Sequence, residues 1–222
     1  MDLLEAIKTR HSVRSYTDQK IQGDTLARLN QIIIDCNRDS GLNIQLCLNE
    51  PRAFSGIMAR STNLKNVLNY IALVGRKDDP ELEEKCGYYG ERIVLAAQQL
   101  GLRTCWVALT YSKGKSAVNV LPGQKLLLVI SIGYSETDGK KHKDKSIEKL
   151  CRCDVPMPSW FQSGMEAVQM APTAMNQQKF FFTLSGNKVK ATAGSGFYTK
   201  VDLGIAKYHF EIGASSKDWE WA

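Results

Sequence analysis

Apolar positions along the chain recur with two periods, one helical and one extended. Leu3, Leu4 and Ile7 share one face of residues 2–9, and Asp2 and Glu5 are spaced as in a capping box, so a short helix is predicted first. A second helix is predicted from Asp24, after Gly23, through Leu26, Leu29, Ile32 and Ile33 toward Cys36. The alternation of Ile44, Leu46 and Leu48 predicts a half-buried strand, and the unbroken apolar run 70–74 a fully buried one. Leu82, Cys86, Tyr89, Ile93, Ala96, Ala97 and Leu100 return at helical spacing, with Gly101 where a terminating glycine belongs. Residues 81–100 therefore read as the longest and most buried helix.

Residues 104–109 and 126–132 read as strands, the second one central, with a turn at Pro122-Gly123 between them. A polar, lysine-rich loop follows Gly133 to about Ser146; it is either a solvated connector or a second contact for an anion. Phe161, Met165, Val168 and Met170 mark a helix that opens near Ser159 and stops at Ala171-Pro172, because proline disfavours the helical region for the residue before it. Residues 180–184 and 188–193, separated by Ser185-Gly186-Asn187, read as a hairpin. A last helix covers about 202–213, where His209 lies among apolar residues and reads as a satisfied core side chain.

Both halves of the chain thus run helix, strands, helix. The early half ends in the helix containing Gly87-Tyr88-Tyr89-Gly90-Glu91, the late half in the helix containing Asp202-Leu203-Gly204. Two similar halves imply an approximate two-fold axis, with a ligand expected at their junction.

Composition narrows the partners. The 222 residues, 43% hydrophobic and 23% charged, suit a globular protein with a substantial core. A net charge of +6 favours anions, but part of the excess is the local run Lys140, Lys141, Lys143, Lys145 and Lys149. No aromatic residues interleave with that run as a nucleic-acid stacking platform requires, so nucleic acid is not the expected partner. Cys36, Cys47, Cys86, Cys105, Cys151 and Cys153 have neither a paired CxxC spacing nor histidines placed for zinc, and no metal is expected. They read as mostly reduced and structural, with the Cys151, Cys153 pair either incidental or a metal or redox group. No apolar run approaches the roughly 20 residues that span a bilayer, and no apolar leader opens the sequence. The expectation is no membrane and a cytoplasmic location.

The candidate chemistry begins at Arg10-His11-Ser12-Val13-Arg14. In an extended segment, residues two apart point to one side. Arg10, Ser12 and Arg14 would then offer two planar guanidinium forks and a hydroxyl to a phosphate. A solvated surface is the alternative, and His11 is either a surface residue or a ligand.

Arg10-His11-Ser12-Val13-Arg14-Ser15-Tyr16 resembles the phosphate-binding signature R-x-S-x-R-x-F/Y of the FMN-dependent nitroreductase family. The stretch from Glu91 to Trp106 is similar to the family's central helix and the GLxxCW strand after it. Ala171-Pro172-Thr173-Ala174-Met175-Asn176-Gln177-Gln178 resembles its APSxxNxQ loop. In the ordinary family that loop lies between the arginine cluster and the central helix, whereas here it follows both. This order matches a subgroup of nitroreductase-like proteins in which two halves of one chain resemble the two subunits of the usual dimer. The resemblance implies an α+β, three-layer fold with a central, mostly antiparallel sheet flanked by helices. It also implies one domain over 1–222, with a pseudo-repeat of about 1–150 and 151–222.

By the same resemblance the cofactor is FMN, its phosphate held by Arg10, His11, Ser12 and Arg14 and completed by Lys143 or Lys145 after Gly133-Tyr134. The backbone of Trp106, Val107, Ala108 and Leu109 would lie beside the ring, although the family often has glycine or glutamate where this chain has Ala108 and Leu109. Pro172, Thr173 and Asn176 would reach the flavin from the other half. Trp106 as plain core, and Asn176 and Gln177 as closers of a turn, are the alternatives. A single arginine cluster implies at most one flavin per chain. The implied activity is ping-pong hydride transfer from NAD(P)H through flavin to a nitroaromatic, quinone or similar small acceptor. No catalytic side chain is named, because the cofactor carries the chemistry. The alternative is a non-catalytic flavin-binding or sensor protein, and the chain is expected as a monomer with internal pseudo-dimer symmetry or as a homodimer.

Overall fold

The computed structural model describes residues 1–56, 63–215 and 218–222. Its backbone forms two compact units that alternate along the sequence: residues 9–82 and 92–141 in one, residues 1–8, 83–91 and 142–222 in the other.

The first unit contains helix α2 (Gly23–Ser40), which buries Leu29, Ile33 and Cys36 and ends at Gly41 with φ 71. A left-handed residue of this kind closes a helix at least cost when it lacks Cβ. Strands β1 (Gln45–Cys47), β2 (Tyr70–Arg76), β3 (Arg103–Val107) and β4 (Gln124–Gly133) pair in the order β1-β2-β4-β3, every pair antiparallel. The central strands β2 and β4 are almost wholly buried, which explains their unbroken apolar sequence. Tyr70, Ala72, Val74, Val107 and Val129 form the core beneath them. β3 is an edge strand.

In the second unit, strands β5 (Cys151–Cys153), β6 (Phe180–Ser185), β7 (Lys188–Ala193) and β8 (Glu220–Trp221) pair in the order β5-β6-β7-β8. The inner pair is an antiparallel hairpin and the two outer pairs are parallel. Helix α4 (Ser159–Gln169) packs against helix α5 (Thr199–Ala214), and the Phe210 ring centroid lies 5.4 Å from Phe161 and 5.3 Å from Phe182 in the core. The long helix α3 (Leu82–Gln99) contributes residues 83–91 to this unit. Helix α1 (Leu3–Thr9) is capped as expected, with the Glu5 N–H donating to Asp2 Oδ1 at 2.8 Å.

The α+β class and the prevalence of antiparallel pairing hold. The strands divide into two four-stranded sheets, one in each unit. The predicted strand 104–109 ends at Val107, the last residue with a partner on β4, and Leu109 is 64% exposed. The Cys151, Cys153 pair lies on a short strand beside β6, and all six cysteines are free thiols. Among the described residues, no helix is long and apolar enough to cross a membrane, and no group of His, Cys, Asp and Glu is placed to hold a metal ion.

Candidate functional site

The segment that leaves α1 runs along the open edge of β3. Ser12 bridges Thr104 in parallel, and the Val13 N–H donates to the Thr104 carbonyl at 3.0 Å. On its other side, the Lys65 N–H donates to the Arg14 carbonyl at 2.7 Å and the Tyr16 N–H to the Lys65 carbonyl at 3.2 Å. Val13 and Tyr16 turn inward and pack with Val67. Because side chains alternate along extended backbone, Ser12 and Arg14 take the opposite side from Val13. Ser12 is half-buried, Arg14 exposed and Arg10 buried.

All three act on Cys105, whose thiol burial pushes up while Arg14, the Ser12 hydroxyl and Arg10 each pull it down. Trp106, half-buried, follows it directly, so the structure unites the arginine cluster with the GLxxCW strand on one sheet edge. Val107 is buried, Ala108 half-buried, and His11 half-buried beside Ser12.

The lysine-rich loop folds back onto this segment. Gly139 has φ 78, and a Cβ there would stand 3.0 Å from the Ser12 carbonyl oxygen and 3.1 Å from the His11 Cβ. Arg103 anchors the loop by donating to Asp138 at 3.0 Å through Nε. The exposed Lys140 and Lys141, part of the lysine run but not nominated for the phosphate site, follow this contact immediately. A polar cleft of about 450 Å³ opens nearby, lined by Ser15, Thr17, Asn66, Ser135 and the carboxylates of Asp18 and Glu136. Those carboxylates make it unsuited to an anion.

Residues 171–178 belong to the other unit. Met175 and Asn176 both have φ 53 and Gln178 has φ 43, a run of left-handed non-glycine residues that costs free energy unless its surroundings enforce it. Several hydrogen bonds enforce it. Asp202 Oδ1 accepts from the Ala174 N–H at 2.9 Å, and Asp202 Oδ2 from Gln177 Nε2 at 2.7 Å. Gln178 accepts from the Lys145 N–H at 2.8 Å and donates to the Lys143 carbonyl at 2.8 Å and to Asn176 Oδ1 at 2.9 Å. Asn176 donates to the Lys143 carbonyl at 2.9 Å, and Lys145 Nζ donates to the carbonyls of Gln177 and Gln178 at 2.8 and 2.9 Å. Thr173 Oγ1 accepts from the Gln178 N–H at 3.2 Å, and Pro172 is buried.

Lys143 and Lys145 thus meet Thr173 and Asn176, whereas the arginine cluster lies in the first unit. Sequence reasoning placed Gln178 in the loop motif without a role and missed Asp202 as a brace, because neither residue type announces a loop support at that spacing. Burial pushes the Asp202 carboxyl up to about 6, against the two N–H donors that pull it down. His209 is a satisfied core residue, its Nδ1 3.0 Å from the Ala167 carbonyl and its Nε2 2.9 Å from Glu91 Oε1.

A family model described as "Putative TM nitroreductase" matches residues 2–214. The chain belongs to this nitroreductase family. This nitroreductase-family chain shares its fold with a protein described as a "putative nitroreductase" of Thermotoga maritima, at 22% identity and TM-score 0.65, over 96% of this chain and 83% of that one. A second likeness, at 17% identity and TM-score 0.56, covers 71% of this chain and 99% of a Desulfovibrio desulfuricans protein, whose structure is described as a "putative nitroreductase in complex with FMN". A third, a "Putative NADH Oxidase" of Clostridium acetobutylicum, shows 19% identity and TM-score 0.51 over 65% of this chain and 96% of that one. No curated protein matches the nitroreductase-family chain.

Proposed function

We propose that the protein is an FMN-dependent oxidoreductase that takes hydride from NAD(P)H and delivers it to a nitroaromatic, quinone or similar acceptor in a ping-pong cycle. Family membership supports a flavin oxidoreductase in general. The observation that carries the reading is the pairing of Ser12 with Thr104, which sets the family's R-x-S-x-R segment on the edge of its GLxxCW strand. The donor types suit a phosphate: two planar guanidinium forks and a hydroxyl offer it charge-assisted hydrogen bonds.

Arg10, His11, Ser12 and Arg14 would hold the phosphate, with Lys140 and Lys141 adding charge from the loop beside them. Backbone N–H groups along residues 106–109 would line the ring and favour negative charge developing there. Pro172, Thr173 and Asn176 are proposed as the counterpart of the family's covering loop, and Lys143 and Lys145 as its supports. When bound, FMN supplies the two-electron chemistry, so no side chain need act as a base. A single domain over 1–222 with two pseudo-symmetric halves, and a reducing cytoplasmic location, belong to the same proposal; the six free thiols support the second.

The test is reconstitution with FMN followed by anaerobic addition of NADH or NADPH. The expected result is a yellow protein whose flavin absorbance bleaches and returns on adding a quinone or nitroaromatic. Protein that takes up no FMN contradicts the reading. Flavoprotein that neither nucleotide reduces makes the chain a flavin-binding or sensor protein, a reading that Ala108 and Leu109 favour by standing where the family often has glycine or glutamate.

A further inference from the structure

We propose that Tyr16 and Ser131 are a positioning pair that locks the arginine-cluster segment in its register on β3, an inference that rests on the flavin reading above. The backbone pairing of that segment with β3 is slight. It consists of one isolated bridge, Ser12 with Thr104, and the Val13 N–H bond to the Thr104 carbonyl, instead of a ladder. Against β3 itself the register rests on that pairing alone, while Lys65 holds Arg14 and Tyr16 on the segment's other side, and a slip along β3 would move the arginines with it.

The Tyr16 hydroxyl supplies what the ladder does not. It lies 2.7 Å from the Val13 carbonyl, 2.7 Å from Ser131 Oγ and 3.2 Å from the Ser131 carbonyl, in a residue only 6% exposed. Ser131, fully buried in β4, stands opposite Cys105 of β3, and its Oγ lies 3.2 Å from the Cys105 carbonyl. Each hydroxyl carries one proton. In the shortest arrangement, Tyr16 donates to Val13 and accepts from Ser131, leaving the 3.2 Å contacts as alternatives.

One phenol therefore ties the peptide between Ser12 and Arg14 to Ser131 of β4, the strand whose backbone pairs with Cys105 of β3. The Val13 carbonyl belongs to the peptide that joins Val13 to Arg14, so holding it fixes the plane from which Arg14 projects, while the Val13 N–H bond to Thr104 holds the plane next to Ser12. β4 is cut back to admit the ring: a Cβ on Gly133 would stand 3.0 Å from Tyr16 Cδ1. Burial also pushes the Tyr16 phenol up, so it remains a donor across the working pH range.

The test compares FMN with riboflavin, which lacks the phosphate, as each quenches on binding to the apoprotein. Tyr16→Phe removes one oxygen and keeps the ring; Ser131→Ala removes the other hydroxyl. Each variant should weaken FMN binding about tenfold, the scale of one buried hydrogen bond, and leave riboflavin within about twofold. The double variant should bind FMN no worse than either single one, because the two hydroxyls act as one device. Equal losses for FMN and riboflavin, or unchanged FMN affinity in a wild type that binds it, would overturn this inference alone. A wild type that binds no FMN overturns the flavin reading and this inference together. Should Tyr16→Phe fail to fold by circular dichroism, Ser131→Ala carries the same comparison.

Discussion

Gly87 of α3 and Gly204 of α5 meet reciprocally: a Cβ on Gly87 would lie 2.0 Å from the Val201 carbonyl oxygen, and one on Gly204 2.0 Å from the Glu84 carbonyl oxygen. Val201 stands one helical turn before Gly204, as Glu84 stands before Gly87. A two-fold interface makes self-complementary contacts of this kind. The Lys207–Glu84 ion pair and the Tyr88 hydroxyl on Glu211 flank the glycine contact. The reciprocity supports the proposed pseudo-repeat, with α3 and α5 as equivalent helices.

Gly87→Ala and Gly204→Ala should therefore destabilise the protein to a similar degree. Alanine gains about 1 kcal/mol of helix propensity over glycine, but separating two packed backbones should cost about 2–3 kcal/mol. Urea denaturation measures the balance. Gly114→Ala, where a Cβ would meet nothing within 4 Å, serves as the control and should lose no stability.

Asp202 gives a pH signature. Its carboxyl stands at about 6 in the fold against an ordinary 3.8, because burial outweighs the N–H donors of Ala174 and Gln177. With the folded value raised, the group's stabilising contribution is complete below about pH 4 and is lost as pH rises through about 6. From pH 5 to pH 8 the wild type should lose about 1 kcal/mol relative to Asp202→Asn. Urea midpoints at the two pH values decide it, and parallel curves would refute the assignment.

The His209–Glu91 contact joins α5 to α3 with both side chains wholly buried. Removing one partner, as in Glu91→Ala or His209→Ala, should cost about 3–5 kcal/mol. Replacing both with leucine should cost less than the sum of the two single losses. A double-mutant cycle in urea reads the coupling directly.

Much of the fold was legible because long periodic segments announce themselves. Leu82, Cys86, Ile93 and Ala97 mark α3 within a residue or two of its ends, and the apolar run of β2 marks a central strand. The pair Cys151, Cys153 was opaque, because β5 is a strand only through its parallel pairing with Phe182 and Leu184, far along the chain. The two-residue β8 has the same dependence on tertiary partners. The division into two sheets was hidden likewise, since pairing is decided by packing and not by the pattern within a strand. Of the site, the arginine spacing could be read, but its seat against Thr104 and Cys105 could not. Of the braces of the 171–178 loop, Asp202 comes from a helix more than twenty residues away, a separation at which local sequence carries no signal.

The central claim is that Arg10, Ser12 and Arg14 hold a flavin phosphate on the edge of β3. Arg14 is the sharpest probe, since it is exposed and its loss leaves the core intact, whereas Arg10 is buried. The decisive measurement is the affinity of the apoprotein for FMN and for riboflavin, in the wild type and in Arg14→Ala. Wild type should prefer FMN, and Arg14→Ala should lose about 2 kcal/mol of FMN binding, the scale of a charge-assisted hydrogen bond, with riboflavin binding unchanged. Equal wild-type affinity for the two flavins, or an Arg14→Ala variant that keeps its preference for FMN, would contradict the account.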